Sequence, residues 1–182
     1  MKLGLDLDGC FHDFVGSLRS IVSELHHLPY WRLPEPTCWE FWTEWNLTFD
    51  QWKACFDAGV ESGVLFGRYG PLDHGVINTL ARDHEVHIVT HRPEGAEATT
   101  REWLERWAIK HDSLTFSEDK TVVPVDVFLD DKPENVRALL AAGVDALLFD
   151  RRWNRGANAQ GLRRVSGWPA FRDYVRALEV AA

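Results

Sequence analysis

Short apolar runs alternate with helical patterns along most of the chain. The runs lie at residues 2–7, 85–90, 125–130 and 144–149. Each has the length of a buried strand. Between them, apolar residues recur at helical spacing, as in Val136, Leu139 and Leu140, before Gly143 ends the helix. This alternation predicts an α/β fold, with a parallel sheet flanked by helices on both faces.

The stretch from about residue 28 to residue 70 departs from this alternation. It has no strand pattern, and it holds five of the nine tryptophans. We therefore expect one domain over residues 1–182, with a helical cap inserted after the first strand and helix. The aromatic rings of this cap either form its own core or line a lid that stacks on a planar part of a substrate. The sequence leaves both interpretations open.

Composition and charge exclude several classes of protein. The chain of 182 residues is 45% hydrophobic and 26% charged, and none of its apolar runs approaches the ~20 residues needed to cross a bilayer. The formal net charge of −8 argues against a stable complex with nucleic acid, because that binding relies on Lys and Arg neutralising phosphates. Asp6 and Asp8 interrupt the first apolar run, so we predict no signal peptide and expect a cytoplasmic protein.

Carboxylates gather where two predicted strands end. Asp6 and Asp8 lie at the end of the first run, and Asp130 and Asp131 lie at the end of the third. Like charges at one sheet edge repel one another unless a cation neutralises them or one carboxyl stays protonated. Mg²⁺ suits such a site, since it prefers hard oxygen ligands. Taken alone, the DLDG segment is equally typical of a turn.

Two further side chains change this interpretation. Thr90 ends the second apolar run, and Lys120 lies shortly before the run that delivers Asp130. A hydroxyl and an ammonium group would thereby join the carboxylates at one edge of the sheet. Together these groups are typical of phosphoryl transfer.

The chain resembles a known family at these segments. LDLDG, then IVTHR, then DKTVVPVDVFLDDKPEN are similar, in order, to the four motifs of the haloacid dehalogenase superfamily. Within it, DLDGCFHDF, DKTVV and LFDRRWNR most resemble the 5′(3′)-deoxyribonucleotidases. The resemblance implies a magnesium-dependent phosphatase on a Rossmann-like sheet.

The resemblance also implies roles for the acidic residues. Asp6 would attack phosphorus to give an aspartyl-phosphate, and Asp8 would act as general acid and then general base. Asp6, the backbone carbonyl of Asp8 and the Asp130 carboxylate would hold Mg²⁺, with Asp131 next to it or bound through water.

Other residues match positions that bind phosphate or substrate in the resembled family. The phosphate set is Thr90, His91 and Lys120, with His91 acting through its backbone amide. The substrate set is Phe14, Phe41, Trp42 and Arg92.

These observations together predict a phosphomonoesterase that acts on (deoxy)nucleoside monophosphates. The expected partner is thus a small phosphate ester, and no membrane association is expected. The sequence does not decide whether the protein forms a homodimer. Two alternatives remain at this point. One is a related phosphatase for another small ester or for a nucleic-acid 3′ phosphate, and the other is a non-catalytic binding protein on the same fold.

Overall fold

Six parallel strands form the central sheet. The computed structural model describes residues 1–181, and it describes their side chains except at positions 74, 157 and 181. The strands are β1 (Lys2–Leu5), β2 (Glu85–Thr90), β3 (Ser113–Phe116), β4 (Val127–Asp130), β5 (Asp145–Phe149) and β6 (Arg164–Val165). They pair in the order β3-β2-β1-β4-β5-β6. The predicted α/β fold with a parallel sheet is confirmed, and β3 and β6 add to the four strands that the sequence predicted.

Within residues 1–181, seven α-helices connect and cover the strands. They are α1 (Phe14–Leu25), α2 (Phe49–Glu61), α3 (Val64–Gly67), α4 (His74–Leu80), α5 (Glu97–Arg106), α6 (Pro133–Ala141) and α7 (Trp168–Ala181). Capping residues determine where several of these helices begin. The Asp13 carboxylate caps α1 by accepting from the Gly16 N–H at 3.0 Å, and Thr48 caps α2 in a capping box with Gln51. Pro133 occupies the first turn of α6, where its missing N–H is no loss.

Apolar side chains cover both faces of the sheet, as expected for parallel strands. On one face, Leu5 and Leu129 belong to a buried cluster with Trp103 and Phe171. On the other face, Phe128 belongs to a second cluster that includes residues of α6. The ring of Phe128 crosses β1 at Gly4, where an added Cβ would lie 2.2 Å from it. Glycine at position 4 therefore leaves the space that the Phe128 ring occupies.

Residues 28–70, which we call the insertion, pack against α1. The insertion contains α2, α3 and a 3-10 turn, and none of its described residues lies in a strand. Its buried side chains form a third cluster with α1, which includes Leu18, Trp45 and Phe66. Over the whole described part of the chain, no helix combines the length and the apolar character needed to span a membrane.

Candidate active site

Three neighbouring strands bring polar side chains to one edge of the sheet. β1 lies between β2 and β4, and all three run in the same direction. Asp6 directly follows β1, Thr90 ends β2 and Asp130 ends β4. Their side chains line one cavity of about 200 Å³. The site thus lies where parallel sheets place their ligands, at the carboxyl ends of the strands.

The cavity has a polar floor and an aromatic wall. The floor includes Asp6, Asp8, Thr90, Lys120, Asp130 and Asp131. The wall includes Phe14, Trp39, Phe41, Phe56, Phe66 and Trp153. Four of these rings, at positions 39, 41, 56 and 66, belong to the insertion. The insertion therefore supplies most of the apolar surface that faces the carboxylates.

Asp6 and Lys120 form a buried ion pair at the centre of the floor. The Lys120 ammonium donates to Asp6 Oδ1 at 2.7 Å and to the Val89 carbonyl at 2.7 Å. Burial, together with the charges of Asp130 and Asp8, raises the pKa of Asp6 from 3.8 to about 7 against the opposing effect of Lys120. Burial would lower the pKa of Lys120, but the charges of Asp6 and Asp130 outweigh it and raise that pKa above 10.5. Lys120 therefore stays a cation beside Asp6.

Two further floor carboxylates, Asp130 and Asp131, accept hydrogen bonds from neutral donors. Asp130 accepts from the Lys132 backbone N–H at 2.8 Å and from the Asn135 amide at 2.9 Å. Asp131 accepts from the Trp153 indole at 2.8 Å. Both carboxyls are buried, and burial raises their pKa values. Neutral donors orient these two carboxyls, but they supply no positive charge to them.

The floor fits a divalent cation that prefers oxygen ligands. One carboxylate oxygen of Asp6, one of Asp131 and the Cys10 sulfur all lie within 4.8 Å of one another. Burial raises the pKa of the Cys10 thiol well above 9.0, so its sulfur stays protonated and is a poor ligand. Gly9, at φ +82°, makes room for Asp131, since an added Cβ would lie 2.2 Å from Asp131 Oδ2. Oxygen donors, with their charge only partly neutralised, suit Mg²⁺ or a similar hard cation better than zinc.

Asp8 is held by two buried side chains. Arg92 forms a fork with it, from Nε to Oδ2 at 2.9 Å and from Nη2 to Oδ1 at 2.7 Å. His12 Nδ1 lies 3.0 Å from Asp8 Oδ1. Burial would raise the pKa of Asp8, but the charge of Arg92 and the hydrogen bonds of His12 and Arg92 hold it below its usual range. Asp8 is therefore an oriented carboxylate in the ligand-free site.

Thr90 offers an unused hydroxyl to the cavity. Its side chain is buried, and Oγ1 has no hydrogen-bond partner among the residues that the structure describes. A buried hydroxyl without a partner is unfavourable, so it marks a place where an oxygen-rich ligand can bind. His91 follows it and also lines the cavity. Together with Lys120, Thr90 makes this part of the floor suited to an anion.

Comparison with known proteins identifies the family. The family described as 5′ nucleotidase, deoxy (pyrimidine), cytosolic type C matches residues 1–180. The chain belongs to this nucleotidase family. A protein of Chlorobaculum tepidum that is proposed to be a 5′(3′)-deoxyribonucleotidase is 31% identical, over 96% of this chain and 90% of its own. The predicted family and a hydrolase of the phosphatase type are thereby confirmed.

Solved structures share the fold of this nucleotidase at low sequence identity. A haloacid dehalogenase-like hydrolase from Streptococcus pneumoniae aligns with a TM-score of 0.60 at 12% identity, covering 96% of this chain and 97% of its own. YfnB, a proposed hydrolase of that superfamily from Bacillus subtilis, aligns with a TM-score of 0.58 at 13% identity, covering 96% and 98%; its structure has magnesium bound. These similarities establish the haloacid dehalogenase-like fold.

The nucleotidase places most of the residues that the sequence singled out around one cavity. Those lining it are Asp6, Asp8, Phe14, Phe41, Thr90, His91, Lys120, Asp130 and Asp131. Trp42 and Arg92 were expected to contact substrate and do not line it. The Trp42 ring packs 5.0 Å from that of Trp52 within the insertion. The Arg92 side chain is fully buried and turned toward Asp8. These two residues lie apart from the cavity lining, so their contact with substrate stays a prediction.

Two residues that orient carboxylates of the nucleotidase site, Asn135 and Trp153, were missed. Asn135 was interpreted only as part of a helix start, yet its amide orients Asp130 from the first turn of α6. Its position, five residues after Asp130, is the only sequence signal for this role. Trp153, which orients Asp131, lies in the LFDRRWNR segment that carried the family resemblance, but nothing in the spacing indicated its partner.

Proposed function

We propose that this nucleotidase hydrolyses (deoxy)nucleoside monophosphates with Mg²⁺, through an aspartyl-phosphate on Asp6. The observation that carries the proposal is the buried Asp6–Lys120 pair at 2.7 Å, which shares a cavity with Asp130, Asp131 and a Thr90 hydroxyl that has no partner among the described residues. A carboxylate held at a cation and facing a cavity is a suitable nucleophile for phosphorus. The aromatic wall of the same cavity favours a substrate that contains a planar ring.

Asp6, Asp130 and the backbone carbonyl of Asp8 are the proposed ligands of Mg²⁺, with Asp131 beside them. When bound there, the ion would neutralise the nucleophile and the phosphate, so that two anions can approach each other. Asn135 donates a hydrogen bond to Asp130, and Trp153 donates one to Asp131. Such donors commonly orient the side chains that bind a metal.

In the first step, an Asp6 oxygen attacks phosphorus as the bond from phosphorus to the ester oxygen breaks. Lys120 and Thr90 hold the non-bridging oxygens, where negative charge is stabilised. Asp8 gives its proton to the departing alkoxide, which leaves as an alcohol. Arg92 and His12 favour the ionised form of Asp8 in the ligand-free site, but a phosphate dianion bound beside it raises its affinity for a proton.

In the second step, the Asp8 carboxylate takes a proton from a water molecule. The water oxygen attacks phosphorus, and the bond from phosphorus to Asp6 breaks. Inorganic phosphate leaves, and Asp6 returns as a carboxylate with Asp8 protonated for the next cycle. One residue thus serves as acid and then as base, which requires an oriented carboxyl that can exist in both forms.

The shape of the cavity supports a small nucleotide over the alternatives. The rings of Phe14, Phe41 and Phe56 face the same cavity as the floor, which suits stacking on a base. A long polyanion is disfavoured by the net charge of −8. The partner that we propose is therefore a free nucleoside monophosphate and not a nucleic-acid end.

A substrate panel tests this choice. With Mg²⁺ present, we expect kcat/KM for deoxynucleoside monophosphates to exceed that for hexose phosphates by about 5- to 150-fold, since stacking of a base contributes about 1–3 kcal/mol. Replacing Phe41 with Leu should raise KM for the nucleotide, whereas replacing the exposed Phe49 of the same insertion should not. Efficient turnover of hexose phosphates with poor turnover of nucleotides would refute the proposed substrate.

The raised pKa of Asp6 makes Mg²⁺ binding depend on pH. A carboxyl whose pKa rises on folding from 3.8 to about 7 destabilises the metal-free fold as pH rises between those values. Mg²⁺ must displace that proton below about pH 7, so we expect its Kd to be about tenfold larger at about pH 6 than at about pH 8. The Mg²⁺-induced rise in Tm should likewise be larger at the higher pH.

Calorimetric titration and thermal melts measure these two quantities without any substrate. The exposed Asp57, changed to Asn, provides a control that should retain the same pH dependence. A Kd for Mg²⁺ that does not change with pH would contradict the assignment of Asp6 as a ligand.

A further inference from the structure

Arg92 is a fully enclosed charged side chain beside the cavity. None of its side-chain surface is exposed, and its guanidinium lies 4.3 Å from the ring centroid of Phe66 and 6.0 Å from that of Trp103. It therefore reaches neither solvent nor the cavity. A buried guanidinium is unfavourable unless its donors are matched, so its partners indicate what it does.

The N–H groups of Arg92 donate to the Asp8 carboxylate and to the Thr100 hydroxyl. Nε and Nη2 hold both oxygens of Asp8, while Nη1 donates to Thr100 Oγ1 at 3.0 Å. Thr100 in turn donates to the Ala96 carbonyl at 2.7 Å, at the start of α5. The planar guanidinium of Arg92 thus links the Asp8 carboxylate to the buried Thr100 hydroxyl of α5. Such a two-pronged contact fixes the plane of a carboxylate and not only its position.

We propose that Arg92 is a positioning residue that sets the orientation of the Asp8 carboxyl for proton transfer. The proposal rests on the proposed function, in which Asp8 is the general acid and base. It differs from the role as a substrate contact that the sequence suggested for Arg92, because a positioning residue acts on the chemical step and leaves substrate affinity nearly unchanged.

The hydrogen bonds also distinguish the two oxygens of Asp8. Oδ1 accepts from Arg92 Nη2 and lies 3.0 Å from His12 Nδ1, which fills its acceptor positions. Oδ2 accepts only from Arg92 Nε among the described side chains. We assign proton transfer to Oδ2, since it keeps an acceptor position for the substrate.

The leaving group provides the test. A nucleotide leaves as a poor alkoxide and needs the acid, whereas p-nitrophenyl phosphate leaves as a stable phenolate and needs it little. For Arg92→Met we expect kcat for a deoxynucleotide to fall by about 10–100-fold, because a misoriented Asp8 loses only part of the roughly 10²–10⁴-fold that a general acid contributes. KM should change by less than about threefold, as expected for loss of a contact that acts on the transition state only. The pre-steady-state burst of p-nitrophenolate should stay within about threefold of the wild-type rate.

A double-mutant cycle separates positioning from a general loss of structure. If Arg92 acts through Asp8, Arg92→Met should have no additional effect in an Asp8→Asn background. Arg101→Met, on the exposed side of α5, is the matched control and should leave all rates unchanged. If Arg92→Met does not fold, Arg92→Lys and Thr100→Val take its place, and each should reproduce the selective loss on the nucleotide.

Two results would overturn the proposal. A raised KM with unchanged kcat would make Arg92 a substrate contact, and an equal loss on both leaving groups would make it structural only. The proposed function fails in a different way. In that case Asp8→Asn itself would not distinguish the two leaving groups, or the wild-type enzyme would release no phosphate with Mg²⁺.

Discussion

Replacing Asp6 with Asn is expected to lower kcat for nucleotide hydrolysis by at least about 10⁴-fold, comparable to the loss of a nucleophile in other hydrolases. An amide oxygen is a poor nucleophile toward phosphorus, and the change also removes one negative charge from the proposed Mg²⁺ site. The side chain keeps its size, so the buried position after β1 should still pack. Phosphate release with saturating Mg²⁺ and a deoxynucleotide measures the effect.

The Asp6 variant needs a control for folding and for charge. Asp57→Asn removes a carboxylate from the exposed side of α2 and should retain full activity. A thermal melt of Asp6→Asn shows whether the fold persists. Undiminished hydrolysis by a folded Asp6→Asn variant would remove Asp6 from the role of nucleophile.

Replacing Lys120 with Met should lower kcat/KM by about 10²–10³-fold. The loss of one preorganised hydrogen-bond donor has an effect of this size in other enzymes. Lys120 is buried and donates to Asp6 at 2.7 Å, so two effects combine. The phosphate loses a cation, and Asp6 loses the charge that opposes the rise of its pKa. The pKa of Asp6 should therefore rise further, and Mg²⁺ binding should require a higher pH than in the wild-type enzyme.

Rate measurements over a range of pH check both parts of the Lys120 prediction. Lys53→Met, which removes an exposed lysine of α2, is the matched control. If Lys120→Met loses activity but keeps the wild-type pH dependence of Mg²⁺ binding, then Lys120 contacts the phosphate without tuning Asp6. If both stay unchanged, the ion pair has no role in catalysis.

Much of the active site could be predicted from the strand patterns and from the polar residues at the ends of the strands. Asp6, Thr90 and Asp130 each lie at the end of an apolar run, and parallel strands bring such ends to one edge. That reasoning needs no knowledge of side-chain contacts. It fails for β3 and β6, because β3 is only half-buried along its whole length and β6 has two residues. Neither presents a continuous apolar run.

Contacts between side chains could not be predicted in the same way. The sequence places Arg92 two residues past β2, where it might face either the cavity or the interior. Only the positions of Phe66 and Thr100, on separate helices, decide that it turns inward to Asp8. Trp42 likewise points into the insertion because Trp52 offers it a ring to pack against. Such choices depend on tertiary packing, which periodicity does not describe.

The most direct test of the central claim is to trap the phosphoryl group on the enzyme. In an Asp8→Asn variant, p-nitrophenyl phosphate should complete the first step, while the second step lacks its base and the intermediate accumulates. Acid quenching followed by borohydride reduction, which converts an aspartyl-phosphate to homoserine, locates the site by peptide mass spectrometry. We predict homoserine at position 6, with about one p-nitrophenolate released per site in the burst. A burst with homoserine at another position, or continued turnover with no modified peptide, would contradict Asp6 as the phosphoryl acceptor.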